Sequence, residues 1–354
     1  MKERFKDFDL IDAFLWLLRA IIVGVILYGT YETITGDNNY SARNWVDFII
    51  FGIAQGSMYA LIAIGYTLVY GVLRMINFAH GEFFMSGIIT ATVLVAVPLA
   101  ESGFMTVHPI WALLIIAFVA IAVSILVAVL TERIAYKPLR SAPRLMPLIT
   151  ALGASFFWQY YFRGLFGSQI KPFPRIEQLK GTVSFLNTEV LKTHIVVIMV
   201  TLIVLIGLSY FINNTKQGTA IRAVAENKDV AALMGINVDR TITITFATGA
   251  TMAGVAGLLY ALVFHQVHWF MGFIPGIKAF TAAVLGGIGS IPGAAIGGLL
   301  LGMFESIGPS LFLDSLGIQS FNQLKDVIAF TMLVLILIFR PQGIMGEALA
   351  DKKA

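Results

Sequence analysis

The sequence predicts an all-α fold, a polytopic bundle of transmembrane helices of which some are discontinuous. Of the 354 residues, 58% are hydrophobic and only 12% are charged, whereas soluble domains carry about 25% charged residues. Apolar segments long enough to cross a bilayer recur along the chain, and they lack the short alternating pattern of a membrane β-barrel. We therefore expect about eight core spans and one extra N-terminal helix.

Composition also narrows the possible functions. The formal net charge is only +4 and is spread over several loops, which indicates a topology bias and not a nucleic-acid-binding face. The chain has no cysteine, which excludes disulfides, thiolate nucleophiles and cysteine-ligated zinc. Catalytic motifs and clusters of metal-ligating residues are also missing from the sequence. We expect no cofactor, no metal and no nucleic-acid partner.

Residues 1–47 are predicted to form an N-terminal extension with one apolar helix. Residues 1–9 carry charges of both signs, and an apolar run interrupted by Arg19 follows from Leu10 to about Tyr31. A cleaved signal peptide would need a shorter apolar core and a small-residue cleavage site, so an uncleaved helix fits better. A helix that spans the membrane and one that lies at its surface both remain open.

A single membrane domain is predicted over 48–346, followed by a short tail, 347–354. The basic loops 132–144 and 214–240 are assigned to the cytoplasm. Two predicted spans separate these loops, so they lie on one side and the loop 166–192 on the other. The predicted spans are 48–73, 82–99, 110–135, 145–165, 193–213, 241–265, a broken region 278–308, and 324–340.

The stretch 55–87 is predicted to be a discontinuous helix. It begins as an apolar helix, changes to a polar run from Arg74 to Glu82, and then becomes apolar again. In lipid, such a break persists only where it is packed in protein, lines a watery cavity or reaches the surface, and transporters often build substrate paths at such breaks. The candidate residues for the substrate path in this stretch are Gln55, Asn77, His80 and Glu82.

A second break is predicted within 278–302, where two apolar halves flank a glycine-rich turn. The turn lacks the lysine and Ser/Thr of a phosphate-binding loop, so a membrane-embedded hairpin is the better interpretation. Gly287, Gly289 and Ser290 are added to the substrate-path candidates. Ionisable residues inside membrane segments are functional hypotheses, but each can also be a cap, a snorkelling residue or an ion-pair partner. This group comprises Arg74, His80, Glu82, Lys278 and Glu305.

The segment 219–236 is too polar to span a membrane and is rich in helix-forming residues. Gly235 stands where a C-terminal cap is expected. The composition fits either a solvated interfacial helix or a helix that docks on a soluble partner. Small residues four apart elsewhere in the chain predict close helix packing. These stripes are Gly52, Gly56 and Ala60; Gly249, Ala253, Gly257 and Ala261; and Ala294, Gly298, Gly302 and Ser306.

Three separated strings resemble one known family. They are YALIAIGYTLVYGVLRMINFAHGE at 59–82, RAVAENKDVAALMGI at 222–236 and KAFTAAVLGGIGSIPGAAIGGLLLG at 278–302. The strings TERIAYKPLR at 131–140 and PQGIMG at 341–346 agree with them. The chain resembles the LivH-type permeases, the membrane subunits of bacterial ATP-driven importers of branched-chain amino acids. Residues 1–47 depart from the family pattern.

The resemblance implies a transporter subunit in the bacterial inner membrane and not an enzyme. It implies a heterodimer with a second permease, two cytoplasmic ABC ATPases, an extracytoplasmic substrate-binding protein and transport by alternating access. ATP hydrolysis is expected in partner subunits, since the chain has no GxxxxGK[ST] motif. The resemblance also assigns Arg222–Gly235 as the ATPase-coupling element. Its candidate residues are Arg222, Glu226, Asp229, Ala231, Ala232 and Gly235.

The leading substrate is a branched-chain amino acid. Relatives that carry urea, short amides or other amino acids share the same strings, so these substrates stay open. A self-sufficient channel or secondary transporter explains the broken helices equally well, but it does not explain a segment that resembles a coupling element.

Overall fold

The fold is a bundle of α-helices, as the composition predicts. A computed structural model describes residues 10–36, 40–140, 142–143, 145–185, 188–317, 321–340 and 342–346. The predicted charged run 1–9 and the predicted tail 347–354 lie outside these residues. The helices of the first half are α1 Leu10–Thr35, α2 Ala42–Leu73, α3 His80–Ala91, α4 Val97–Glu101, α5 Phe104–Val107, α6 Pro109–Thr131 and α7 Leu145–Phe166.

The second half continues the bundle and adds two small sheets. Its helices are α8 Lys192–Asn214, α9 Lys216–Glu226, α10 Lys228–Leu233, α11 Val238–Phe264, α12 Phe273–Gly286, α13 Ile291–Gly308 and α14 Lys325–Phe339. The strands are β1 Lys171–Pro172, β2 Thr182–Phe185, β3 Thr188–Leu191 and β4 Gln266–Val267. β1 pairs with β4 and β2 with β3, both antiparallel.

Six of the described helices are long and apolar enough to cross a membrane. They are Ala42–Leu73, His80–Glu101, Pro109–Leu139, Lys192–Asn214, Val238–Phe264 and Ile291–Leu313, of which the second, third and sixth continue through π-helical turns. The predicted spans 145–165 and 324–340 are also helical, as α7 and α14, but they are not among these six. The second break is confirmed, because α12 and α13 are separate helices joined at 287–290.

Small residues set the packing of α2 against α13. A side-chain carbon added to Gly298 would overlap the backbone of Ala60, and one added to Gly302 would overlap that of Gly56. Gly52 likewise lies against Met303 and Ser306. The predicted close approach is confirmed, since these helices meet backbone to backbone where lipid offers no hydrophobic driving force between them.

The two basic loops lie at the same end of the bundle. Lys137 and Arg140, after α6, form ion pairs with Asp239 at the start of α11, and Arg74 donates a hydrogen bond to the carbonyl of Ala225. The loop 166–192 lies at the other end, where β1 pairs with β4. The predicted sidedness of the loops is therefore confirmed. We call the first end the basic end.

The helix α1 packs against the π-helical turn Pro309–Leu313, which continues α13. The Thr33 hydroxyl donates to the carbonyl of Leu311, and Tyr40, just beyond α1, donates to Asp314 at 2.6 Å. Most of the described large apolar side chains of α1 are exposed, among them Trp16, Leu17 and Leu27. The helix thus contacts the bundle along one narrow stripe.

Candidate functional site

The first break lies between α2 and α3; it begins at the exposed Arg74 and is buried at Asn77 and Ala79. Helix α2 ends at Leu73, and Arg74 takes a left-handed conformation (φ 56°) that turns the chain. Asn77 is buried, and its side-chain oxygen accepts hydrogen bonds from the backbone N–H of Ala79 at 3.1 Å and from the Tyr136 hydroxyl. The Asn77 oxygen thus satisfies one backbone N–H group that the interrupted helix leaves without a helical partner.

His80 starts α3 and is fully buried. Its ring lies 4.8 Å from that of Tyr66 and 5.4 Å from that of Phe83, centroid to centroid. Neither ring nitrogen has a hydrogen-bond partner among the residues that the structure describes. A side-chain carbon added to Gly65 would overlap the imidazole. His80 therefore fills the space against α2 that the glycine leaves open.

Glu82, in the first turn of α3, is 1% exposed. Its Oε1 accepts hydrogen bonds from Ser155 Oγ at 3.0 Å and from Gln159 Nε2 at 2.8 Å, both on α7. Its Oε2 accepts no hydrogen bond from the described residues and lies against the backbone of Gly272. No cation within the described ranges forms an ion pair with it. A buried carboxylate with only neutral donors is an unusual arrangement, because burying an unpaired charge is costly.

Two cavities adjoin the break. A small one of about 10 Å³ has Asn77 and Ile288 among its lining residues, so it joins the first break to the glycine turn of the second. A larger one of about 150 Å³ lies between α2, α7, α12 and the break. Its lining residues are Tyr66, Phe78, Leu152, Ser155, Phe156, Phe273 and Ile277.

A second buried polar cluster joins α2, α12, α13 and α14. Lys278 Nζ lies 2.9 Å from Glu305 Oε1 and 2.6 Å from Asp326 Oδ1. Gln55 and Tyr59 donate to Glu305 Oε2 at 2.7 Å and 2.9 Å. Each ionised group here has an opposite charge beside it. Gln55 therefore belongs to this ion-pair cluster and is not brought to the cavity beside Glu82.

Backbone geometry explains why glycines and a serine occupy the turn between α12 and α13. Gly287 and Gly289 have φ of 108° and 100°, which favour glycine. Ser290 caps α13, because its hydroxyl accepts from the N–H of Gly293 at 3.1 Å. The N–H groups of Ile344 and Met345 donate to the carbonyls of Leu285 and Gly286, both at 2.9 Å. The chain after α14 thus binds the end of α12.

The segment 219–236 forms two short helices at the basic end. Thr215 caps α9 and Asn227 caps α10 through side-chain oxygens. Gly235 (φ 81°) ends α10, with hydrogen bonds from its own N–H to Ala232 and from Ile236 to Ala231. This is the bonding pattern of a Schellman C-cap, so the predicted role of Gly235 as a cap is confirmed.

The exposed surface of α10 differs from the predicted one. Ala231 was expected on the partner-facing side, but it is 3% exposed and packs into the bundle core. The two residues after Ala232 are the most exposed apolar side chains of the segment, Leu233 at 87% and Met234 at 78%. Ala232 and Gly235 are exposed as expected. Two adjacent apolar side chains are therefore exposed within an otherwise polar segment.

Charged residues surround this surface. Arg222, Glu226 and Asp229 are all exposed. Burial lowers the pKa of Lys228, and the nearby guanidinium groups of Arg140 and Arg74 lower it further. The basic end therefore carries a concentration of positive charge around α10.

Comparison with known proteins decides the family. Residues 48–337 match the family model described as "Branched-chain amino acid transport system / permease component". The chain belongs to this family. The permease is similar to the high-affinity branched-chain amino acid transport system permease protein BraD of Pseudomonas aeruginosa, with 43% identity over 315 residues that cover 87% of this chain and 98% of that protein.

Two further relatives agree. The permease is 41% identical to the high-affinity permease protein LivH of Escherichia coli, over 85% of this chain and 95% of that protein. It is 27% identical to a probable LivH of Methanocaldococcus jannaschii, over 83% and 90%. The permease is thus a multi-pass membrane subunit of a transport system, as the three sequence strings predict, and not an enzyme.

The structure brings some predicted residues of the permease together and leaves others apart. Asn77, His80 and Glu82 lie in one buried region, whereas Gln55 lies in the ion-pair cluster. Within the described part of the chain, no three histidine, aspartate or glutamate side chains meet as metal ligands.

Four residues at these sites were not predicted from the sequence, namely Ser155, Gln159, Leu233 and Met234. Ser155 and Gln159 are four residues apart in an apolar segment, a spacing that places both on one helix face and that signals a polar site. Leu233 and Met234 carry a weaker signal, an apolar pair inside an otherwise polar segment. The tertiary contacts alone show which of the small and apolar residues of α10 face outward.

Proposed function

We propose that this permease moves branched-chain amino acids across the bacterial inner membrane, driven by ATP hydrolysis in partner subunits. The names of its relatives support the substrate class. The observation that carries the coupling to ATP is the exposed apolar pair Leu233 and Met234, held on α10 between two spanning helices. A surface of this kind, rimmed by charge, fits a groove of a soluble subunit.

The coupling element in this proposal is Arg222–Gly235. α9 and α10 are short, capped at both ends and packed on the bundle, so a displacement of α10 reaches α11 directly along the chain. Leu233 and Met234 enter the ATPase groove, while Arg222, Glu226 and Asp229 set its orientation. One ATPase docks on this permease and a second docks on its permease partner.

A second permease completes the membrane unit, and α7 is the surface we assign to it. The helix contacts the bundle mainly through Ser155, Gln159 and neighbouring buried residues, and it leaves large side chains such as Phe157 and Tyr160 exposed. The substrate path then follows the first break, past Asn77, His80 and Glu82. Gly287, Gly289 and Ser290 contribute through the second break, next to the small cavity. The substrate-binding protein delivers its cargo at the end opposite the basic end.

Uptake in cells tests the proposal. A bacterial strain without its own branched-chain importers would express the full set of subunits and receive labelled leucine, urea or acetamide. We expect ATP-dependent uptake of leucine that disappears when this permease or the ATPases are omitted. Uptake of urea or acetamide without uptake of leucine would show that the substrate is not a branched-chain amino acid. Leucine uptake by the permease without ATPases would show a self-sufficient channel or secondary transporter.

A further inference from the structure

The large cavity beside the first break has the walls of a hydrophobic binding pocket. Six of its seven lining residues are apolar or aromatic, and Ser155 is the exception. An apolar cavity of about 150 Å³ is large enough for a group the size of benzene. The isobutyl and isopropyl groups of aliphatic amino acids fall within this size. Two of its lining residues on α7, Leu152 and Phe156, are 40% and 51% exposed.

One polar group of the cavity wall, the Ser155 hydroxyl, leads to a buried carboxylate. Ser155 Oγ is 3.0 Å from Glu82 Oε1 and donates its proton to it. This hydroxyl oxygen also accepts a hydrogen bond from Gln159 Nε2 at 3.1 Å, which leaves one of its two lone pairs for a donor in the cavity. Glu82 Oε2 has no hydrogen-bond partner and lies against Gly272, next to the lining residue Phe273. Glu82 itself is not among the lining residues of the cavity, so Ser155 is the group that connects its carboxylate to the cavity.

The charge of this carboxylate has no counterpart among the described residues. Lys278 is engaged by Glu305 and Asp326. His80 stacks on Tyr66 and lies against Gly65, and it makes no hydrogen bond to Glu82. A carboxylate inside a membrane protein that has no ion-pair partner is a candidate for an ion or substrate site. A ligand that brings its own cation would satisfy it.

We infer that the cavity and Glu82 form a binding subsite for an aliphatic amino acid within the permease itself. The α-ammonium group donates to Ser155 Oγ beside the Glu82 carboxylate, and the branched side chain fills the apolar cavity. The inference rests on the proposed function and adds to it the part of the substrate that the permease recognises. The subsite would recognise the ammonium group of the ligand by charge and its branched side chain by shape. Neutral amides lack the ammonium group and would be excluded.

Direct binding tests this subsite without the substrate-binding protein. The assembled complex of permeases and ATPases in nanodiscs would receive labelled leucine, with two competitors that share its isobutyl group. Isoamylamine keeps the ammonium group and lacks the carboxylate, and isocaproate keeps the carboxylate and lacks the ammonium group. We expect isoamylamine to compete and isocaproate to fail.

Variants then locate the effect. Glu82→Gln keeps the shape and removes the charge, and we expect it to weaken leucine binding about 10- to 100-fold, the range for a lost charged hydrogen bond. Ile277→Trp should weaken leucine binding by filling the cavity. The exposed Glu101→Gln, at the end of α4, is the matched control and should bind as the unaltered complex does. In parallel, leucine uptake by the complete transporter should show a raised KM for Glu82→Gln.

The outcomes separate this inference from the proposed function. Unchanged binding in Glu82→Gln, equal competition by both analogues, or no leucine binding to the complex would each overturn the subsite, even where the complete transporter still imports leucine. Absence of leucine import by the unaltered transporter would instead overturn the proposed function. Should Glu82→Gln fail to assemble, the competition profile of the unaltered complex decides the question.

Discussion

Two buried glutamates of this permease have opposite surroundings. Glu305 faces the ammonium group of Lys278 at 2.9 Å and accepts hydrogen bonds from Gln55 and Tyr59. Glu82 has only the neutral donors Ser155 and Gln159. A buried charge that is fully paired serves the fold, whereas one without a counter-charge is available to a ligand. On this contrast rests our proposal that Glu305 stabilises the fold and that Glu82 binds a ligand.

The first prediction concerns the paired cluster. Lys278→Met should lower the free energy of unfolding by about 3–5 kcal/mol, because it leaves Glu305 buried without its cation. Adding Glu305→Gln should recover part of this loss, since the unpaired charge is then gone. Thermal unfolding of the solubilised complex measures both variants.

Lys180→Met supplies the matched control. Lys180 pairs with Glu177 on the surface, and exposed pairs contribute only about 0–1 kcal/mol. If Lys278→Met and Lys180→Met unfold at the same temperature, the cluster does not stabilise the fold.

At the scale of elements, α10 is built to present two apolar side chains. Asn227 fixes its first turn by accepting from the N–H groups of Asp229 and Val230, and the cap at Gly235 fixes its end. Ala231 anchors the helix in the core. Leu233 and Met234 are thereby held on the outside of a short rigid helix, where burial of each against a partner would contribute about 1.5–3 kcal/mol.

The second prediction tests this surface. The double variant Leu233→Ala/Met234→Ala should reduce co-purification of the ATPases and ATP-driven leucine uptake at least tenfold, because contact anchors of this kind contribute about 2 kcal/mol or more. Insertion of the permease in the membrane should stay normal, since neither side chain contributes to the bundle core.

Lys216→Ala/Gln217→Ala, exposed at the start of α9, is the control for this pair. It should retain assembly and uptake. Intact assembly with undiminished uptake in the Leu233→Ala/Met234→Ala variant would place the coupling contact elsewhere.

At the scale of the molecule, α1 stands apart from the rest. The family match begins at residue 48, and the main contacts of α1 are with the extension of α13 at Pro309–Leu313. The core packing of α2, α3, α11 and α13 proceeds through other surfaces. The bundle therefore does not depend on α1 for its interior.

The third prediction follows from this arrangement. Removing residues 1–36 should leave leucine uptake per inserted molecule largely unchanged, because the main contacts of α1 are with the extension of α13 and not with the interior of the bundle. Uptake normalised to the amount of membrane-inserted permease is the measurement. A collapse of insertion would show instead that α1 is needed to establish the topology.

The class of this protein and much of its layout follow from the sequence. Hydropathy, loop charge and glycine placement depend on residues close in the chain, so most of the spans, the two breaks, the shared side of the basic loops and the cap at Gly235 were predictable, whereas two of the predicted spans, 145–165 and 324–340, are helices outside the six that are long and apolar enough to cross a membrane. The small-residue stripes were also predictable, because a repeat of four residues marks one helix face without knowledge of its partner.

The tertiary structure alone decided which distant groups meet. Ser155 is 73 positions from Glu82, and Glu305 is 250 positions from Gln55, so no local pattern pairs them. The same limit explains why Ala231 was expected outside and Leu233 was not singled out, since the orientation of a short helix depends on its docking against the bundle. Only the packing of the helices shows which buried carboxylate lies beside a cation. Glu305 lies beside Lys278 in the ion-pair cluster, whereas Glu82 lies beside the neutral donors Ser155 and Gln159.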